Sequence, residues 1–131
     1  MKIGNLGKLI TFSVSGDKVL TFDNMSQTVK GRWTAHSLIG KKPRSEFLGA
    51  DRRQITFEIM LDATMGVNPR KIIKKIEKAA EKGRPYTLVI GGEKIGRNQW
   101  AVESVSEAWD KVILDGVLVS AKLNLTLLEY L

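Results

Sequence analysis

Cysteine is absent from the 131 residues. That excludes disulfides, thiol nucleophiles and cysteine-held zinc or iron–sulfur centres. Histidine occurs once, at His36, so no site with two imidazole ligands can form. No apolar run approaches the ~18 residues of a membrane span, and no membrane partner is expected. The first residues, MKIGNLGKLITFSVSG, lack both the apolar stretch of about 7–15 residues and the small-residue cleavage site of a signal peptide. Folding in the cytoplasm of the producing cell is expected. Internal repeats, linkers and low-complexity segments are also missing.

Acidic residues are outnumbered, 14 against 21 Lys and Arg, for a formal net charge of +7. Apolar residues at 43% and charged residues at 27% are the proportions of an ordinary globular protein. A chain of this length is expected to be one domain, residues 1–131, burying roughly 70% of its unfolded surface. The positive excess is concentrated. Residues 30–53 hold seven basic and two acidic side chains, a net of +5, and residues 69–84 repeat that balance. The remainder sums to −3. Solvated faces are the commonest use of such runs. A docking surface for an acidic neighbour is the sharper reading, and phosphate binding is the third.

Periodicity supplies the elements. Residues 8–14 and 18–22 read as short strands separated by Ser15-Gly16-Asp17. Residues 27–38 read as a longer strand with a bulge at Gly31, and residues 40–44, GKKPR, as a loop. In residues 53–61, Ile55, Phe57, Ile59 and Leu61 alternate with Gln54, Thr56, Glu58 and Met60, a strand with one face buried. The spacing then predicts a helix over 69–82. Asn68 can cap it, Pro69 suits its first position, and Gly83 suits its left-handed stop. Ile72, Ile73, Ile76, Ala79 and Ala80 form one apolar stripe. Burying its three isoleucines contributes about 5–8 kcal/mol before entropy is subtracted, so the helix must pack on a sheet.

Beyond the helix, residues 86–90 read as a strand ending at Gly91-Gly92. Residues 99–109 read as another, with a bulge near Glu103-Ser104 that returns Trp100, Val102, Val105 and Trp109 to one face. Asp115-Gly116 is a hairpin turn. In the last strand, Val117, Val119, Ala121, Leu123, Leu125 and Leu127 share one parity. The order indicates α+β, mainly β: an antiparallel β-sandwich or partly closed barrel with one flanking helix. The 27–38 and 117–131 strands exceed the usual length and are candidates for extending a sheet into a neighbouring subunit.

No set of residues assembles catalytic chemistry. His36 and Ser37 are adjacent on a strand and point to opposite faces. Glu103 and Glu107 suit solvation. The glycine-rich stretch 91–96 precedes no helix, so it reads as a turn and not a phosphate cradle. Trp33, Trp100 and Trp109 suit core or interface anchoring better than base stacking. No enzyme activity, metal or cofactor is expected.

Arg32-Trp33-Thr34-Ala35-His36-Ser37-Leu38-Ile39-Gly40-Lys41-Lys42-Pro43 resembles the Trp, His, Gly-basic-basic-Pro block of the tail protein U (GpU) family. These proteins come from contractile-tailed bacteriophages and phage-like tail particles. Gly49, Ile55-Thr56-Phe57, Gly66-Val67-Asn68-Pro69, Leu88 to Gly92, Trp100 and Glu103 to Glu107 continue the likeness over roughly residues 8–130. The resemblance implies a fold similar to tail-tube proteins. It also implies a structural role in a ring, most simply of six copies, in the central tube near the baseplate. The implied partners are further copies of the chain, adjacent tube and baseplate or hub proteins, and the tape-measure protein, with no specific nucleic-acid binding. Synthesis in the bacterial cytoplasm and incorporation into a virion or tailocin-like particle follow. A terminator role at the head-proximal end is the rival within the class. A small nucleic-acid-binding β-barrel is the rival outside it. Arg32, Trp33, His36, Lys41, Lys42 and Arg44 are the candidate residues for contact between subunits or rings.

Overall fold

The computed structural model describes residues 2–15, 19–113 and 116–130. The chain runs β1 (Lys2–Leu6), β2 (Ile10–Val14), β3 (Val19–Leu20), β4 (Phe22–Thr28), β5 (Gly31–Leu38), β6 (Lys41–Ala50) and β7 (Gln54–Asp62). A single 3-10 turn (Ala63–Met65) leads to α1 (Pro69–Lys82). Then come β8 (Pro85–Tyr86), β9 (Leu88–Ile90), β10 (Glu93–Lys94), β11 (Gln99–Val112) and β12 (Leu118–Tyr130). The protein is mainly β with one helix, as its periodicities predict.

The alternating strand β7 lies near the middle of a five-stranded antiparallel sheet ordered β4-β7-β12-β11-β8, which curls into an open half-barrel. Ile55, Phe57, Ile59 and Leu61 sit opposite Leu127, Leu125, Leu123 and Ala121 of β12, and all eight are buried. The other face is polar. Ser26 and Thr56 hydroxyls meet at 3.0 Å, and Glu58 accepts from Asn24 Nδ2 at 3.0 Å and pairs with Lys122 at 3.5 Å. An antiparallel sheet tolerates water on one side in this way. The bulge expected near Glu103 is present, between Val102 and Ser104.

The apolar face is covered by α1 and by a second antiparallel sheet ordered β10-β9-β1-β2-β3. Asn68 caps α1 by accepting from the Lys71 N–H at 3.2 Å, and Gly83 ends it at φ 63°. Ile73, Ile76 and Ala79 are buried against the sheet, with Ile72 and Ala80 at the margin. Phe12, Phe22 and Phe57 pack edge to face with centroids 5.0–6.1 Å apart, joining the two sheets.

Several expectations are corrected. Residues 2–6, to which the sequence patterns assign no element, are a strand despite Gly4 and Asn5; β2 and β9 pair it on both sides. Gly4 is required there, since a Cβ would lie 2.3 Å from the Val89 carbonyl oxygen. The strand expected over 18–22 is divided within residues 19–22: the chain leaves the first sheet at Thr21 and enters the half-barrel as β4. Residues 86–90 are likewise divided at Thr87, because β8 pairs with β11 and β9 with β1. Residues 27–38 break at Val29-Lys30, and the irregularity falls one residue past Gly31, opposite the extra residue Leu48. Val117 is exposed and Leu118 is buried, because irregular pairing near Lys111 shifts the phase of β12 at its start. The breaks expected at Gly16-Asp17 and at Asp115, with residues 18 and 131, lie outside the described residues.

Candidate assembly interface

Residues 40–44 are not a loop. The chain turns at Ile39-Gly40, and Lys41–Ala50 returns as β6 against β5. Pro43 falls at the irregular stretch between the His36–Arg44 and Leu38–Lys41 pairs, where no rung uses an N–H from it. The two strands form a sheet of their own and join neither larger sheet. Eight residues of β5 extend roughly 27 Å at about 3.4 Å per residue. This hairpin is an arm with water on both faces.

Its faces differ. Trp33 lies opposite Phe47, with ring centroids 5.1 Å apart at 61°. Trp33 is 64% exposed and Phe47 55% exposed. Gly31 makes room for both rings, since a Cβ there would stand 2.9 Å from Phe47 and 3.1 Å from the Trp33 indole nitrogen. Ala35 and Ser45 continue this face. The opposite face carries Arg32, Thr34, His36, Arg44 and Glu46 by strand alternation and pairing. His36 Nε2 is 2.7 Å from Glu46 Oε2.

The six candidate residues therefore share the arm but not one surface. Arg32, His36 and Arg44 lie on the charged face, Trp33 lies on the apolar face, and Lys41 and Lys42 stand at the tip. The sequence reading missed Phe47 and Glu46, because it ended the strand pattern at residue 38. A fold about Ile39-Gly40 brings residue 33 level with residue 47, so the turn was the available signal.

The arm's root is fastened to the body. Asp51 N–H donates to the Lys30 carbonyl at 2.9 Å and closes the hairpin. The Glu129 carboxylate on β12 accepts from the Arg53 N–H at 3.2 Å and from Asn98 Nδ2 at 3.0 Å. These contacts border a cleft between arm and body lined by Val29, Asp51, Arg53, Arg97 and Glu129.

The remaining tryptophans have other roles. Trp100 is fully buried, and its Nε1 donates to the Ile95 carbonyl at 2.9 Å. Trp109 lies at the helix–sheet margin under the Arg70 guanidinium, 5.2 Å from its ring centre. Glu107 accepts from Trp109 Nε1 at 3.1 Å. Glu107 also meets Glu77 of α1: a hydrogen bond between the carboxyls, then burial and charge repulsion, holds the Glu77 carboxyl above the usual glutamate range.

The chain thus presents a half-barrel with one polar face and an arm whose aromatic rings lie in water. A sequence model of the Phage P2 GpU family matches residues 9–131, and the chain belongs to this family of phage tail proteins. A search of curated proteins finds no match.

Proposed function

We propose that the chain is a non-enzymatic ring component of the central tube in a phage or phage-like contractile tail, placed near the baseplate as tube initiator or tube-to-baseplate adaptor. The arm carries this reading. An isolated two-stranded hairpin is marginal in water, and Trp33 and Phe47 expose apolar area that a neighbouring chain would cover. A head-to-tail contact that closes into a ring provides such a neighbour for every copy. The arm's Arg32, Trp33, His36, Lys41, Lys42 and Arg44 are then contact residues, to adjacent subunits and to the next ring. Six copies agree with the resemblance to tail-tube proteins. Synthesis in the bacterial cytoplasm precedes assembly with tube, hub and tape-measure proteins.

The half-barrel adds support of its own. The 117–131 strand does not extend the sheet outward, because β12 is paired on both sides, with β7 and with β11. The open edges are instead β4 and the outer half of β11, since β8 covers β11 only at Trp100 and Ala101. Edges at opposite ends of one sheet suit a ring in which each copy meets two neighbours.

Replacing both rings, Trp33→Ser with Phe47→Ser, tests the reading in a particle-assembly assay read by electron microscopy. The folded variant is expected to be missing from tails. Normal tails containing it, or a tail reconstruction with one copy outside the tube, would remove the ring assignment.

A further inference from the structure

We propose that the outward side of α1, with the β1–β2 turn beside it, is a docking surface for an acidic segment of a different polypeptide. This inference stands on the helix and its surroundings, and it does not require the ring. Lys71, Lys75, Lys78 and Lys82 place about one cation per 5.4 Å turn along the exposed side of α1. Lys8 and Arg84, also exposed, flank them. Among the described residues the ion pairs are His36–Glu46 and Lys122–Glu58, so none of these six cations has an anionic partner. Glu77 faces Lys74, Arg70 and the Glu107 carboxyl of β11, and Glu81, exposed three residues beyond Lys78, makes no ion pair with the row among the described residues.

The cations rim a groove with an apolar floor. Three depressions of about 250, 190 and 160 Å³ follow the helix from Val67 to Arg84, and Lys75 borders all three. Ile72, Leu9 and Tyr86, each half-buried, form the floor. Each depression has room for an aliphatic side chain. A cationic rim over such a floor fits a segment that alternates carboxylates with Leu, Ile or Met.

Nucleic acid fits less well. Single strands bind on aromatic platforms that stack bases, and Tyr86 offers none: its ring packs on the backbone at Gly7, where a Cβ would lie 2.8 Å from Tyr86 Cδ1. The acidic strand β11 of a second copy also fits poorly. Glu107 is turned to Glu77, and Glu103 and Asp110 share β11 with it, the strand on which α1 packs. A copy presenting these acids would bring its own basic helix toward the basic helix of its partner.

The test uses the full chain in about 150 mM salt, where exposed charges are screened beyond roughly 8 Å. The probes are a fluorescent 15-residue peptide of repeated Glu-Glu-Leu, a polyglutamate of equal length, and a 15-nucleotide oligo-dT. The Glu-Glu-Leu peptide is expected to bind at least about tenfold more tightly than either other probe, a difference of about 1.4 kcal/mol. Amide shifts in nitrogen-15 NMR should cluster at Leu9, Ile72, Lys75 and Lys78. Lys75→Glu with Lys78→Glu and Lys82→Glu should weaken the peptide at least about tenfold. Lys75→Gln with Lys78→Gln gives the same direction should the triple variant fail to fold. Equal or tighter oligo-dT binding assigns the face to nucleic acid and overturns the proposal. So do unchanged peptide binding by the variants, no measurable peptide binding, or self-association of the wild type that the variants abolish.

Discussion

Glu129 grips the backbone of Arg53 from both directions. Its Oε1 accepts from the Arg53 N–H at 3.2 Å, and its own N–H donates to the Arg53 carbonyl at 3.0 Å. Arg53, two residues past the Asp51 that closes the arm, is thereby tied to the end of β12. The direction in which the arm leaves the body is set 76 residues away in sequence.

Removing that carboxylate should loosen the arm before it unfolds the body. Glu129→Ala deprives the Arg53 N–H and Asn98 of their acceptor, a loss of about 1 kcal/mol. Thermal melting should fall by roughly 3–5 °C. Hydrogen exchange should rise most in residues 29–53 and little in β7 or the inner half of β12. An even rise across both sheets would show that Glu129 supports the whole fold instead of the root of the arm.

The tip of the arm, with the neighbouring Arg44 on its charged face, is expected to matter for assembly and not for folding. Lys41, Lys42 and Arg44 are exposed and make no ion pair among the described residues. Reversing all three to Glu should change stability by less than about 0.5 kcal/mol each. Incorporation into tails should nonetheless be blocked, because the proposed contact would oppose like charges. Melting of the purified variant beside a particle-assembly assay checks both halves. Intact tails would remove the tip from the interface, and a collapsed melting temperature would make it part of the fold.

The Glu77–Glu107 contact makes stability depend on pH. The Glu77 carboxyl is held above its ordinary value of 4.5 chiefly by the hydrogen bond to Glu107, which requires a shared proton. The folded state therefore binds that proton more tightly than the unfolded state. Its stabilising effect is complete below the ordinary value and is lost as pH rises through the raised one. Glu77→Gln supplies a permanent donor. It should melt higher than the wild type at pH 7, with the difference shrinking as pH falls through the raised value and smallest below about 4.5. Melting curves across that range provide the check, and a difference that stays constant with pH would disconnect the pair from stability.

Much of the fold was legible because its signals are local. The helix at Pro69–Lys82 needed only its apolar stripe, Asn68 before it and Gly83 after it. The period-two faces of β7 and most of β12, and the bulge beside Glu103, likewise follow from residues a few positions apart. The candidate contact residues, chosen for charge and aromatic character, all lie on one exposed hairpin.

Composition and local periodicity thus determined the class, the helix and the buried faces, because side-chain period and capping act over a single turn or strand. Tertiary structure decided which strands pair. It split residues 19–22 and 86–90 between two sheets, placed β12 in the interior of its sheet and made a strand of residues 2–6 despite Gly4 and Asn5. It also made residues 41–50 a strand and left that hairpin outside both sheets, so that Trp33 found Phe47 and not the core. The physical reason is that a strand's edges are satisfied by hydrogen bonds from residues distant in sequence. No local pattern states which partner will arrive, or that none will.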